Sequence, residues 1–222
     1  MRLRLAVFDV DGTLSDSQHH IHAAMRFAFA AQGLEPPGLA EVRRIVGLSL
    51  PQATAQLLPG ADAATLAGLV QGYKQSYFAA RSVAPAPLFA GAAETLRRLA
   101  AREDIVLGIA TGKSRRGLDA LLGHHGLTGI FTTRQVADDH PSKPDPAMLL
   151  AALAQTGVAT ADAVMIGDTS FDIEMARAAG VRSIGVGWGY HDAAALVTAG
   201  ASRMVTDFAA LEAACDALWE LG

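Results

Sequence analysis

Short apolar runs alternate with amphipathic helical patterns over most of this chain, and that alternation restricts the fold more than any other feature. Residues 2–9, 105–110, 163–166 and 183–186 read as buried strands. Residues 92–102, 115–124, 146–156 and 171–179 each carry a helical apolar stripe, and Gly126, Gly157 and Gly180 lie just beyond three of them, where helices usually stop. Strand alternating with helix predicts an α/β architecture, a parallel sheet with helices on both faces. Residues 15–86 break the rhythm with successive helical patterns and no convincing strand. There Ile21, Met25, Ala28 and Phe29 share one helix face, Ser49-Leu50-Pro51 reads as a cap followed by an early proline, and Leu66, Leu69, Val70, Tyr73 and Tyr77 form a second stripe. The expected organisation is a core of residues 1–14 and 87–222, interrupted by a helical domain at 15–86.

Composition narrows the function classes. With 222 residues, 51% apolar and 18% charged, the chain can bury a large core without staples. No run spans a membrane, and the start at Met1 lacks the leader, long apolar region and cleavage site of a secretory signal, so the expected location is cytoplasmic. The formal charge of −4 and the dispersed arginine pairs 43–44, 97–98 and 115–116 argue against a nucleic-acid partner. Cys215, the only cysteine, sits in a helix-like pattern and reads as a buried structural thiol. His19, His20 and His22 have no zinc-like spacing and fit a solvated helix start, with His20 alone able to face a site. Gly185, Gly187 and Gly189 lack the spacing of a dinucleotide loop.

In a parallel sheet, ligands bind outside the carboxyl ends of the strands, at the point where strand order reverses. Polar groups fall at such positions four times: Asp9 and Asp11 in "FDVDGT", Thr111 in "IATGKS", Lys143 in "PSKPDP", and Asp168 with Asp172 in "GDTSFD". Singly each has a plain structural reading. Asp11-Gly12 makes an ordinary turn, Thr111 or Asp168 a helix cap, Asp172 a first-turn acid and Lys143 a solvated side chain. Their joint order at successive strand ends favours chemistry.

On those residues the chain resembles the haloacid dehalogenase-like hydrolases, whose four motifs are matched by residues 9–13, Thr111, Lys143, and Gly167-Asp168 with Asp172. The helical stretch resembles that family's cap, and "IGVGWGYHD", residues 184–192, resembles the late loop of phosphoglycolate phosphatases. The resemblance implies a Rossmann-like core with the first strand near the middle of the sheet, a mobile cap, Mg2+, and phosphoryl transfer through an aspartyl-phosphate. It implies Asp9 as nucleophile, Asp11 as general acid and then base, Thr111 with the Gly112 or Val10 amide and Lys143 as phosphate ligands, and Asp9, Asp168 and the Asp11 carbonyl as metal ligands. Asp172 is implied as a support that orients Lys143 or a metal-bound water rather than as a direct metal ligand. Residue chemistry agrees, because a carboxylate attacking an anionic phosphate needs cations around both partners, and Mg2+ takes one or two carboxylates plus substrate oxygen. Halide release needs no protonation, so Asp11 points to phosphate esters rather than to dehalogenation.

The expected function is hydrolysis of a small phosphate monoester, with 2-phosphoglycolate as the best single choice. Pyrophosphate hydrolysis and sugar phosphomutase chemistry are alternatives on the same core, and a phospho-accepting signalling module is a third, opposed by Asp11. Arg43 or Arg44, near the helix break at Gly47, is the candidate contact for a substrate carboxylate, against a plain reading in which both are solvated. Lys74, the cap's lysine, lies in a polar and aromatic helix and is not expected to form an imine. A monomer or homodimer is expected.

Overall fold

The computed structural model describes residues 2–83 and 85–221. Met1 and Gly222 of the expected core, and Ala84 of the expected helical stretch, lie outside the described residues. Six parallel strands form one sheet: β1 (Arg4–Phe8), β2 (Ile105–Thr111), β3 (Phe131–Val136), β4 (Ala163–Gly167), β5 (Arg182–Val186) and β6 (Arg203–Val205), in the order β3-β2-β1-β4-β5-β6. The chain lays strands outward from β1 in one direction, then returns to build from β4 in the other. The reversal point therefore lies at β1 and β4.

Alternation along β1 explains why this sheet is buried on both faces. Ala6, Phe8 and Val10 pack on one side with Leu96, Leu118 and Trp219. Leu5 and Val7 pack on the other with Met148, Leu149 and Met165. A strand apolar at every position from Leu5 to Phe8 suits the interior of a parallel sheet rather than its edge. The four strands read from sequence agree with β1, β2, β4 and β5 to within a few residues. β3 and β6 escaped that reading because they are the two edges. In β3, "FTTRQV", Thr132 is exposed and Arg134 is partly exposed, so no continuous apolar run appears.

Helices α1 (Gln18–Ala31), α2 (Leu39–Arg43), α3 (Leu50–Leu57) and α4 (Ala63–Val83) follow β1 without an intervening strand. They bury a cluster of their own, with Ile21, Met25, Phe29, Val42, Ile45 and Leu69 at its centre. The remaining helices are α5 (Ala92–Ala100), α6 (Arg115–His124), α7 (Ala147–Thr156), α8 (Ser170–Ala178), α9 (Ala193–Ala199) and α10 (Leu211–Trp219), and they flank the sheet. Cys215 on α10 is fully buried, and burial pushes its thiol up to about 12, which suits packing rather than reactivity. Among the described residues no helix is long and apolar enough to cross a membrane.

Candidate active site

β1 ends at Phe8 and β4 at Gly167, so Asp9 and Asp168 are the first residues past two hydrogen-bonded neighbouring strands; Thr111 is the last residue of β2 on the other side of β1. Lys143, from the loop before α7, reaches this point fully buried. Its Nζ donates to Asp9 Oδ1 at 2.6 Å and to Asp172 Oδ1 at 2.6 Å. Asp172 is tied at its other oxygen as well, where Oδ2 accepts from the Thr169 amide at 3.1 Å and the Thr169 hydroxyl at 2.8 Å, closing a capping box on α8. One acid thus caps a helix and steers the lysine.

Asp9 Oδ2 is buried and has no hydrogen-bond partner. Burial pushes the Asp9 carboxyl up to about 7, Lys143 pulls it down, and Asp172 and Asp11 push it up again. Asp168 is likewise raised, first by burial and then by Asp9 and Asp172. Lys143 loses by burial but is held above its ordinary range by Asp172 and Asp9. Both directions are consistent, because a single ammonium is shared among crowded acids and leaves them short of positive charge. Asp9, Asp168 and Asp172 each offer an oxygen within 4.8 Å of one another, a set that could hold a metal ion. Hard carboxylate oxygens around an unpartnered Oδ2 fit a divalent ion of the magnesium, calcium or manganese class.

Asp168 itself is clamped. Its Oδ1 accepts from the Thr13 hydroxyl at 2.8 Å and its Oδ2 from the Tyr190 amide at 2.9 Å. Gly12 supplies the turn beneath it, with φ +92°, and a Cβ there would run into the Asp168 carboxylate. Gly12→Ala is expected to cost about 1–3 kcal/mol of stability, read as a lowered Tm, and to displace Asp168; a Tm equal to that of the parent chain would contradict the clamp.

Asp11, two residues past Asp9, is set apart from that cluster. Its Oδ1 accepts from Ser17 Oγ at 2.5 Å and pairs with Lys113 Nζ at 2.9 Å. Lys113 also donates to the Tyr77 hydroxyl of α4 at 3.0 Å, and Tyr77 stacks on Tyr73 with ring centroids 5.5 Å apart. Burial acts to lower the Lys113 ammonium, and Asp11 and Tyr77 more than offset it, so it is held above its ordinary range. The helical layer sits down on the sheet edge at this point. The Ser49 amide donates to Ser142 Oγ at 2.7 Å, and Gly112 lies so close to the carbonyls of Gly47 and Leu48 that a Cβ would strike them.

Between the two layers lies a cavity of about 470 Å³. Asp9, Asp11, Thr111, Gly112, Lys113 and Ser114 form its sheet side, and residues of α1, α3, α4 and the loop at 45–49 form its roof. Asp168 and Asp172 stand behind Asp9 and are fully buried.

Residues 6–186 match the haloacid dehalogenase-like hydrolase family. The chain belongs to that family. Among its relatives, "Probable phosphatase IndB" of Dickeya dadantii is 34% identical over 98% of this chain and 95% of its own length. "Phosphoglycolate phosphatase" of Rhodospirillum rubrum is 34% identical over 94% of this chain and 89% of its own. Such relatives place the chain in the phosphoglycolate phosphatase-like branch of these hydrolases. A hydrolase from Pseudomonas syringae superposes with a TM-score of 0.85 at 27% identity, covering 96% of this chain and 98% of that one.

Within this haloacid dehalogenase-like hydrolase, the structure gathers Asp9, Asp11, Thr111, Gly112, Lys143, Asp168 and Asp172 at one sheet edge. It does not bring Arg43 or Arg44 there. Both are exposed and neither lines the cavity: Arg43 is held by the Gln18 side chain, and the Arg44 guanidinium turns back to the Ala40 carbonyl at 3.3 Å. Gly47, with φ +100°, ends the short helical stretch so that its apolar side, Ile45 and Val46, faces inward and its arginines face out. His20 is not among the lining residues, and Lys74 is, as an exposed side chain. Sequence reasoning passed over Lys113, Ser17 and Tyr190. Lys113 had a signal, since it follows Thr111-Gly112 in the same strand-end loop, and Tyr190 lies in the late loop already singled out; Ser17 had none.

Proposed function

We propose that the chain is a magnesium-dependent phosphatase that hydrolyses small phosphate monoesters through Asp9. The observation that carries this reading is the unpartnered Asp9 Oδ2 beside Lys143, at the floor of a cavity that also presents Asp11 and Thr111. The relatives named as phosphatases support it.

In this reading Lys143 and Thr111 bind phosphate oxygens together with the Gly112 or Val10 amide, and Asp172 keeps Lys143 aimed. Asp9 attacks phosphorus, the ester oxygen departs with a proton from Asp11, and an aspartyl-phosphate forms. Asp11 then takes a proton from the water that attacks this phosphate, and Asp9 is regenerated. Asp9 and Asp168 would hold Mg2+ with the Asp11 carbonyl; when bound it supplies positive charge to the phosphate oxygens. The helices between β1 and α5, residues 15–86, act as a cap that keeps other water out. Cytoplasmic residence and a monomeric or homodimeric state belong to the same reading.

The test is magnesium-dependent release of phosphate from a panel of alkyl, aryl and sugar phosphates, 2-phosphoglycolate and pyrophosphate. No release from any of them would overturn the proposal. A companion expectation concerns the metal alone. Carboxyls raised in the folded state, as Asp9 is from 3.8 to about 7, make the chelated protein lose stability as pH rises through that window. Magnesium offsets this loss and competes with the protons. Its stabilisation is thus expected to grow from pH 5 to pH 8, reaching about 5–10 °C in Tm at a hundredfold excess over Kd. Asp168→Asn is expected to abolish that increment, and an equal increment in both proteins would remove Asp168 from the site.

A further inference from the structure

The roof of the cavity is apolar apart from Ser49, Lys74 and the tyrosine hydroxyls. Ile21 and Met25 come from α1, Ile45 and Val46 from the loop after α2, Leu50 from α3 and Tyr73 from α4. All six belong to, or pack against, the hydrophobic cluster of the cap, so this wall continues the cap's own core and is not a patch of solvated side chains. We propose, resting on the phosphatase reading above, that the substrate is a phosphate monoester whose organic part is an apolar group, aryl or alkyl, larger than a two-carbon acid.

Three observations lead there. The cavity of about 470 Å³ exists with the cap already hydrogen-bonded to the core through Ser49 and Tyr77, so it is not the gap of an open cap. That volume falls within the range of roughly 300–1,000 Å³ that encloses drug-sized ligands, and phosphoglycolate would leave most of it to solvent. Charge argues the same way. Arg43 and Arg44 lie outside the cavity; of the cations that line it, Lys113 is committed to Asp11 and Tyr77, Arg116 lies over the Phe78 ring at 3.9 Å, and Lys74 is an exposed side chain. A carboxylate or a set of sugar hydroxyls placed against Ile21, Met25, Ile45, Val46 and Leu50 would give up water without gaining partners there. Tyr73, stacked on Tyr77, instead lines the same cavity as Asp11 with an aromatic ring, suited to an apolar group on the ester oxygen.

Binding of non-hydrolysable phosphonates to the magnesium-loaded protein tests this separately from turnover. Calorimetry with methyl-, butyl- and hexylphosphonate is expected to show affinity rising with length, by about threefold to fourfold per methylene where burial is complete, and so at least about tenfold from methyl to hexyl. Hexylphosphonate is expected to bind at least about tenfold tighter than 3-phosphonopropionate, which has the shape of phosphoglycolate. Leu50→Gln, at a half-buried position, is expected to flatten the length dependence, and Met25→Gln serves if that variant does not fold. Equal affinities along the series, or tighter binding of 3-phosphonopropionate, would overturn the inference even if every ester in the panel is hydrolysed. If none is hydrolysed but affinity still rises with chain length, the cavity assignment stands and the phosphatase reading falls.

Discussion

Asp9→Asn is expected to lose turnover by at least about 10⁴-fold on every ester, and to gain stability in the same step. The first effect follows from the chemistry. An amide can neither attack phosphorus nor form the acyl phosphate, and Asp9, which lines the cavity, keeps its Oδ2 without a hydrogen-bond partner. The second follows from the crowding of acids around one lysine. Asp9 sits fully buried with Asp172 and Asp11 both raising its carboxyl, from 3.8 to about 7, despite the bond from Lys143. Because the folded chain binds that proton more tightly than the unfolded one, the carboxylate costs stability increasingly as pH rises from 3.8 to 7, and fully above it. A neutral side chain of the same shape removes a cost of at most about 4 kcal/mol, and Lys143 keeps Asp172 as its partner. In chelator at pH 8 the variant's Tm is thus expected to exceed that of the parent chain, with the difference closing toward pH 5. Undiminished turnover would end the nucleophile assignment, whereas an unchanged Tm would mean that the acids are not short of positive charge. Loss of function with gain of stability is the signature of a site built against the fold's own preference.

What the sequence disclosed, and what it withheld, divides along physical lines. β1, β2, β4 and β5 were legible because strands buried on both faces must be apolar at nearly every position. β3 and β6 were not, since an edge strand has one flank in solvent and "FTTRQV" and "RMV" carry the mixed composition that goes with it. Asp9, Thr111 and Asp168 were legible because a charged or hydroxyl residue at the end of a buried run is out of place unless something uses it, and Lys143, in a loop, was legible only together with them. The arginines of the helical insertion misled for the converse reason. A helix break at Gly47 says where the backbone turns and not which face turns inward, and in the structure the apolar face won that position. Lys113 stood in plain view beside Thr111, but its partners, Asp11 and Tyr77, lie 102 and 36 residues away along the chain. No local pattern encodes a meeting of that kind.

That meeting gives Asp11→Asn an outcome different from the first variant's. General acid-base catalysis contributes about 10²–10⁴-fold, and alkyl esters are expected to lose that much, because an alkoxide cannot leave well without a proton. p-Nitrophenolate can. With p-nitrophenyl phosphate the first step is therefore expected to survive as a burst of phenolate, after which the enzyme stalls as the aspartyl-phosphate for want of a base to activate water. Intact-mass analysis after mixing would show the phosphorylated chain accumulating. Stability moves in the opposite direction from Asp9→Asn: Asp11 and Lys113 form a largely buried ion pair at 2.9 Å, and removing one partner strands the ammonium beneath Tyr77, at a cost of about 3–5 kcal/mol. Adding Lys113→Met to Asp11→Asn removes the stranded charge, so the double variant is expected to recover Tm while turnover of alkyl esters stays low. Recovery of both would make Asp11 a structural partner of Lys113 and nothing more. Equal losses on alkyl and p-nitrophenyl esters, with no burst, would place its role elsewhere than at the leaving oxygen. Loss of the first step on alkyl esters alone, with the phosphorylated chain trapped on the aryl ester, would tie the proton to Asp11 in both half-reactions.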